Sequence, residues 1–381
     1  MGKLNIKIIS KILILLVIML VVLVTTGCIR GLYPLGWSGA TGDENTLFLG
    51  SMEGRLAAVD AREGSWMWSD QLPSSGVRAG FGCTAAPSGT AIYGTPVLQD
   101  DLVYLGGYNG KVYAFEADSL QKRWVYPVED NLDAIVGGVT VAMGKVYFGT
   151  SGGEIYALDA ATGVEAWGPF TTDGKVWATP VISGETLYAA SFDKKVYALD
   201  AATGEKKWQT PEAGGAITTT PVVDNNVIYF SSFDRYLYAA DTADGSLKWQ
   251  SGTEAGSWFW AEPVIYGSTV YAPCLDGKIY IFDVDNGKEL RTPIDLGSQI
   301  SSSPVIFGDS LIIASQEGLI YSLNMESNQI RPLANVEDRV DAPLYLDDGM
   351  VYVHTQEHEA LYALNAQTGV EVWNRSLDSD E

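Results

Sequence analysis

The segment Val196-Tyr197-Ala198-Leu199-Asp200-Ala201-Ala202-Thr203-Gly204-Glu205-Lys206-Lys207-Trp208 is one of eight related phrases in this chain of 381 residues. Another reads Tyr156-Ala157-Leu158-Asp159-Ala160-Ala161-Thr162-Gly163, with Trp167 four residues later. Aligned on the acidic or amide residue, the copies fall at Asp60, Glu116, Asp159, Asp200, Asp241, Asp283, Asn324 and Asn365, at spacings of 56, 43, 41, 41, 42, 41 and 41. A fixed period of this size identifies a repeat architecture before any single side chain is interpreted.

Eight residues after the aligned position stand Trp68, Trp124, Trp167, Trp208, Trp249 and Trp373, while units six and seven carry Arg291 and Pro332 there. Within a unit, Lys195-Val196-Tyr197-Ala198-Leu199 fits a strand with two faces, and Thr203-Gly204 supplies the positive φ of a hairpin turn. The Asp ahead of that turn is placed to accept hydrogen bonds from its amides. A second hairpin precedes it: Thr179-Pro180-Val181-Ile182, Ser183-Gly184, then Thr186-Leu187-Tyr188-Ala189-Ala190. Four short strands in about 41 residues, repeated eight times, predict an all-β, eight-bladed β-propeller of four-stranded antiparallel blades. No helix-period pattern competes.

The phrase from 196 to 208 resembles the repeat of the PQQ-type eight-bladed propellers, a superfamily that includes quinoprotein dehydrogenases and the BamB-like envelope lipoproteins. The resemblance covers essentially all of the chain after residue 30. It speaks for the fold more than for the function, because one propeller scaffold hosts many unrelated sites.

Residues 1–28 read as an export signal, with Lys3, Lys7 and Lys11 ahead of an apolar run from Ile12 to Val24 that is short for a membrane span. Thr25-Thr26-Gly27-Cys28 resembles a lipobox, which makes Cys28 the expected lipidation site; Leu is usual where Thr25 stands, and an uncleaved signal anchor is the alternative. Either way residues 29–381 form a single propeller held outside the cytoplasm on a membrane. The net charge of −23, or −26 without the three leader lysines, argues against nucleic acid as a partner. Cys83, in a Gly/Ser/Pro-rich insertion from about Gln71 to Thr90, and Cys274 are the remaining cysteines, and a disulfide between them is the expectation for an oxidising compartment.

Counting back three residues from the Pro that marks each innermost strand, or from its equivalent, gives Trp37, Tyr93, Gly137, Trp177, Thr218, Trp260, Ser301 and Val340. Trp37, Tyr93, Trp177 and Trp260, with Glu262 and Asp341 close to the same register, are the expected ligand- or partner-binding residues at the channel mouth. Aromatic faces with a few carboxylates suit a sugar or a peptide segment better than an anion. The alternative is that these rings plug the channel. The repeat tryptophans instead read as blade-docking residues.

His354 and His358 lie together in His354-Thr355-Gln356-Glu357-His358-Glu359 and are weak metal candidates, since they flank a turn; the segment otherwise reads as a solvated loop. Asp283-Val284-Asp285-Asn286-Gly287 resembles a calcium loop but occupies the ordinary repeat turn. The paired acids Asp100-Asp101 and Asp347-Asp348 read as hairpin tips.

What the family resemblance implies for chemistry is only partly met. Quinoprotein dehydrogenases of this fold hold pyrroloquinoline quinone on calcium, with a disulfide between adjacent cysteines; no adjacent Cys pair and no Cys-x-x-Cys-His is present here. No Gly-x-Ser-x-Gly elbow appears either. The expected function is therefore a non-catalytic, membrane-anchored protein-interaction scaffold without a cofactor, as in BamB-like envelope protein assembly. A carbohydrate- or peptidoglycan-binding propeller is the nearest competitor, and a quinone-dependent oxidoreductase the more remote one.

Overall fold

The computed structural model describes residues 36–74 and 89–377. Their strands fall into eight four-stranded antiparallel sheets, and in each the spatial order is the chain order. Blade one holds β1 (Ala40–Gly42), β2 (Thr46–Gly50), β3 (Leu56–Asp60) and β4 (Trp66–Trp68), and blade eight holds β29 (Tyr345–Asp347), β30 (Met350–His354), β31 (Ala360–Asn365) and β32 (Glu371–Ser376). The expected eight-bladed, all-β propeller is the fold.

The central positions of the middle strands are apolar in succession rather than alternately, because both faces of the sheet are covered. In β10 (Lys145–Gly149), Val146 and Phe148 turn toward blade two, while Tyr147 turns toward blade four. In β14 (Thr186–Ala190), Leu187 and Ala189 face blade three, and Tyr188 and Ala190 face blade five. The buried residues accordingly sort into eight clusters among the described residues, one at each seam between neighbouring blades.

The turn that ends the third strand organises each seam. Asp200 Oδ1 accepts the amides of Ala202 and Thr203, both at 3.0 Å, and those donors hold its carboxyl below the usual range. Asp283 makes the same bonds to Asp285 and Asn286, so the calcium-like stretch is a repeat turn. Gly204 follows at φ 76°, where a Cβ would lie 2.6 Å from the Trp167 ring of the preceding blade. The indoles close the seam with a hydrogen bond: Trp124 to the Ala160 carbonyl, Trp167 to Ala201, Trp208 to Thr242 and Trp249 to Val284, at 2.9 to 3.0 Å. Where Arg291 replaces the indole, the Tyr271 hydroxyl still reaches the Met325 carbonyl of blade seven at 2.9 Å.

Among the described residues the ring closes without a shared strand. Blades one and eight each supply their own four strands, and their seam holds a cluster that includes Leu47, Leu49, Tyr352 and Trp373. Tyr33, a candidate for strand exchange, lies outside the described residues, as do Cys28 and Cys83.

Candidate functional site

The short innermost strands surround the central channel, and the residues leading into them come from the face that also carries the turns between second and third strands. Side chains two apart on such a segment project to the same side. The residue four before the inner strand, or three before it in blades one and three (Trp37 and Gly137), and the residue two further on therefore form two rings, the second one deeper. The channel contains a cavity of about 460 Å³, and Trp37, Tyr93, Trp177, Trp260, Glu262 and Asp341 all line it.

The outer ring is aromatic on two sides. Trp37 and Tyr93 meet edge to face with centroids 4.5 Å apart, and Tyr93 meets Tyr108 at 5.6 Å. Burial, and then the nearby Tyr108, pushes the Tyr93 phenol up to about 12. On the opposite arc Trp177 packs on Phe192 at 4.7 Å, Phe192 on Phe233 at 6.2 Å, and Phe233 stacks on Trp258 at 4.7 Å with planes 16° apart. Phe233 also faces Trp260 at 6.3 Å. Trp177 is oriented by its own N–H, which donates to Ser151 Oγ at 2.9 Å, and Lys175 Nζ sits 5.0 Å from its ring centre. Trp258 is 46% exposed, and the four channel aromatics are half-buried.

This ladder across blades four to six was only partly visible beforehand. Trp177 and Trp260 belong to the expected ring, but Phe192 and Phe233 do not. The available signal was the repeat itself, since both follow the second strand of their blades at equivalent positions.

Blade eight differs from the expected register by one residue. Val340 is fully buried and faces the seam, and Asp341 stands in the outer ring because an extra residue, Leu344, separates Pro343 from the inner strand. Asp341 is already saturated: its carboxylate accepts from Ser301 Oγ at 2.7 Å, Gln316 Nε2 at 2.8 Å and Arg339 Nε at 2.5 Å. Its role in the observed geometry is to tie blade seven to blade eight.

The deeper ring is made of hydroxyls, Thr95, Thr179, Thr220 and Ser303, with one carboxyl, Glu262. Ser303 Oγ accepts the Glu262 amide at 3.2 Å, as Thr179 Oγ1 accepts that of Gly138 at 2.8 Å. Burial raises the pKa of the Glu262 carboxyl, against a bond from Thr220.

The two histidines occupy separate environments. His354 does not lie in a solvated loop: it is 1% exposed at the seam of blades eight and one, with Nδ1 2.7 Å from the Ser38 carbonyl. His358 is exposed and its Nδ1 lies 3.4 Å from Asp338. Among the described residues no three His, Cys, Asp or Glu side chains gather as metal ligands. Cys274 is fully buried, with Sγ 3.3 and 3.4 Å from the carbonyls of Ser257 and Trp258, in thiol-donor geometry. Asp100 and Asp101 form a hairpin tip with φ of 50° and 63°.

Pyrroloquinoline quinone carries several carboxylates and requires cationic and amide partners. Among the described residues the cavity lining contains no Lys, Arg, Asn or Gln, and of its two carboxylates one is consumed by Arg339. These residues do not fit that cofactor.

Comparison with known proteins agrees with the geometry. A quinohemoprotein alcohol dehydrogenase, ADH-IIG of Pseudomonas putida, is 31% identical over 147 residues, covering 35% of this chain and 19% of that one. The outer membrane protein assembly factor BamB of Shewanella oneidensis is 27% identical over 168 residues, 41% of this chain and 38% of that one. The aligned part thus spans well under half the length of these curated relatives. The crystal structure of BamB from Moraxella catarrhalis superposes with a TM-score of 0.67 at 20% identity, over 83% of this chain and 92% of that one, which establishes the shared fold. A family model for the outer membrane protein assembly factor BamB matches residues 25–251 and 170–375. With the repeat, the eight blades and a channel unsuited to the quinone all in agreement, the chain belongs to the BamB family of PQQ-type propellers.

Proposed function

We propose that this protein is a non-catalytic interaction scaffold, tethered to a membrane outside the cytoplasm through Cys28 and acting in envelope protein assembly. The observation that carries the reading is the loop face. A rigid disc presents an aromatic ladder, Trp177 to Trp258, around the channel, and of the two channel carboxylates Asp341 is engaged in structural hydrogen bonds rather than arranged for proton transfer. Membership of the assembly-factor family supports a protein partner. The −23 net charge disfavours nucleic acid. A bridge between Cys83 and Cys274, if formed, would anchor the blade-two insertion to blade six; non-reducing peptide mapping reads it directly.

A second reading, a glycan or peptidoglycan ligand, is favoured by the partly exposed indole and phenyl faces. The two separate by crosslinking the lipidated protein in its native envelope and identifying what is captured, with F233A/W258A and the quadruple alanine variant of Trp37, Tyr93, Trp177 and Trp260 in parallel. One stoichiometric membrane-protein complex, diminished by F233A/W258A, supports the scaffold. Recovery of glycan lost in the quadruple variant overturns it.

A further inference from the structure

Among the described residues the channel carries one carboxyl without a basic partner. Asp341 is neutralised by Arg339, whereas Glu262 has only the Thr220 hydroxyl and its neighbours in the hydroxyl ring, and no basic side chain among the described residues lines the cavity. Above it stand four aromatic rings. Their faces attract cations, and one of them, Trp177, already holds Lys175 Nζ at 5.0 Å on the rim. Inside the channel an anion meets a carboxyl, neutral hydroxyls and ring faces, and no cation among the described lining residues. A neutral ligand leaves Glu262 buried without a partner of opposite charge. A cation on a slender apolar stem satisfies both layers, its methylenes against the rings and its charge at the carboxylate.

We propose that the channel of this propeller is a binding site for a primary alkylammonium group, seated on Glu262 beneath Trp37, Tyr93, Trp177 and Trp260. The proposal deepens the scaffold reading and rests on it where the ammonium belongs to a lysine of the docked partner; a free diamine presents the same chemistry. Binding draws the raised Glu262 carboxyl into its ionised form and releases a proton, so affinity increases as pH rises toward neutrality.

The test is a titration of the purified full chain by intrinsic tryptophan fluorescence and calorimetry. The probes are 1,5-diaminopentane, its neutral isostere 1,5-pentanediol, and a pair of blocked tripeptides carrying lysine or norleucine. The diamine is expected to saturate and the diol not to bind. Glu262→Gln, which keeps the shape, is expected to weaken diamine binding by about tenfold to a hundredfold, the worth of a hydrogen bond to a charged group. The unsubstituted protein is expected to lose affinity as pH falls, which needs no variant. Binding of both diamine and lysine peptide assigns the site to a partner side chain; binding of the diamine alone assigns it to a free polyamine. Equal binding of diol and diamine, no binding of either amine, or an unchanged affinity in Glu262→Gln overturns the proposal. A captured envelope complex would then leave the scaffold reading standing on its own.

Discussion

The indole N–H of Trp373, in the last blade, donates to the carbonyl of Ala61, in the first, at 3.0 Å across 312 residues of chain. It is the same bond that Trp167 makes to Ala201 within the ring. Closure therefore repeats the ordinary seam rather than using a strand contributed by the opposite terminus.

Because no shared strand backs that seam among the described residues, Trp373→Ala is expected to lower unfolding free energy by about 3–5 kcal/mol, the range for deleting a large buried aromatic. Trp373→Phe, which keeps most of the apolar contact and loses the donor, is expected to cost about 1 kcal/mol. Urea unfolding measures both. Equal costs would show that the hydrogen bond, not packing, holds the ring.

The turn glycine is tied to the indole of the preceding blade. Gly204→Ala places a Cβ 2.6 Å from Trp167 at φ 76° and is expected to cost about 2 kcal/mol or more. Blade seven supplies the control: Asn328 occupies the same turn position at φ 55°, next to the blade in which Arg291 replaces the tryptophan. Asn328→Gly is expected to change stability by less than about 1 kcal/mol. A Gly204→Ala protein that melts with the parent would refute the coupling.

His354 makes the same seam sensitive to acid. Its Nδ1–H donates to the Ser38 carbonyl, which leaves Nε2 as a lone-pair acceptor buried without a partner, and burial lowers the pKa below the ordinary value near 6.5. The folded state thus disfavours the proton that the unfolded chain takes up, so stability is present above about pH 6.5 and declines as pH falls below it. Glu262, with its raised pKa, acts in the opposite direction in mildly acidic solution. The difference between the melting curves of the parent and His354→Gln isolates the histidine, and that difference is expected to shrink from pH 7.5 to 5. A constant difference would exclude it as the acid-sensitive group.

Asp341 joins Ser301, Gln316 and Arg339 across two blades. Asp341→Ala is expected to cost about 1–3 kcal/mol, and a double-mutant cycle with Gln316→Ala to show a coupling of about 0.5–3 kcal/mol. Strict additivity would remove Asp341 from the role of blade tie.

The period of the turn phrase, the Gly before the indole and the two-faced strands were enough to determine blade number, strand number and seam chemistry. These are local rules, the turn phrase repeated eight times and the indole and the turn glycine six times each, so most repeats meet the same kind of neighbour. The channel aromatics at Trp37, Tyr93, Trp177 and Trp260 were legible for the same reason, since a ring maps equivalent sequence positions onto one circle. What depends on a single blade needed the tertiary structure. One inserted residue moved Asp341 into the ring in place of Val340, and only contact across the seam buried His354. The pairing of Asp341 with Arg339, which leaves Glu262 as the uncompensated charge of the channel, is likewise a matter of spatial proximity between side chains that no repeat rule encodes. Periodicity specifies what all blades share; function resides where the blades differ, and those differences acquire meaning only when the ring brings them face to face.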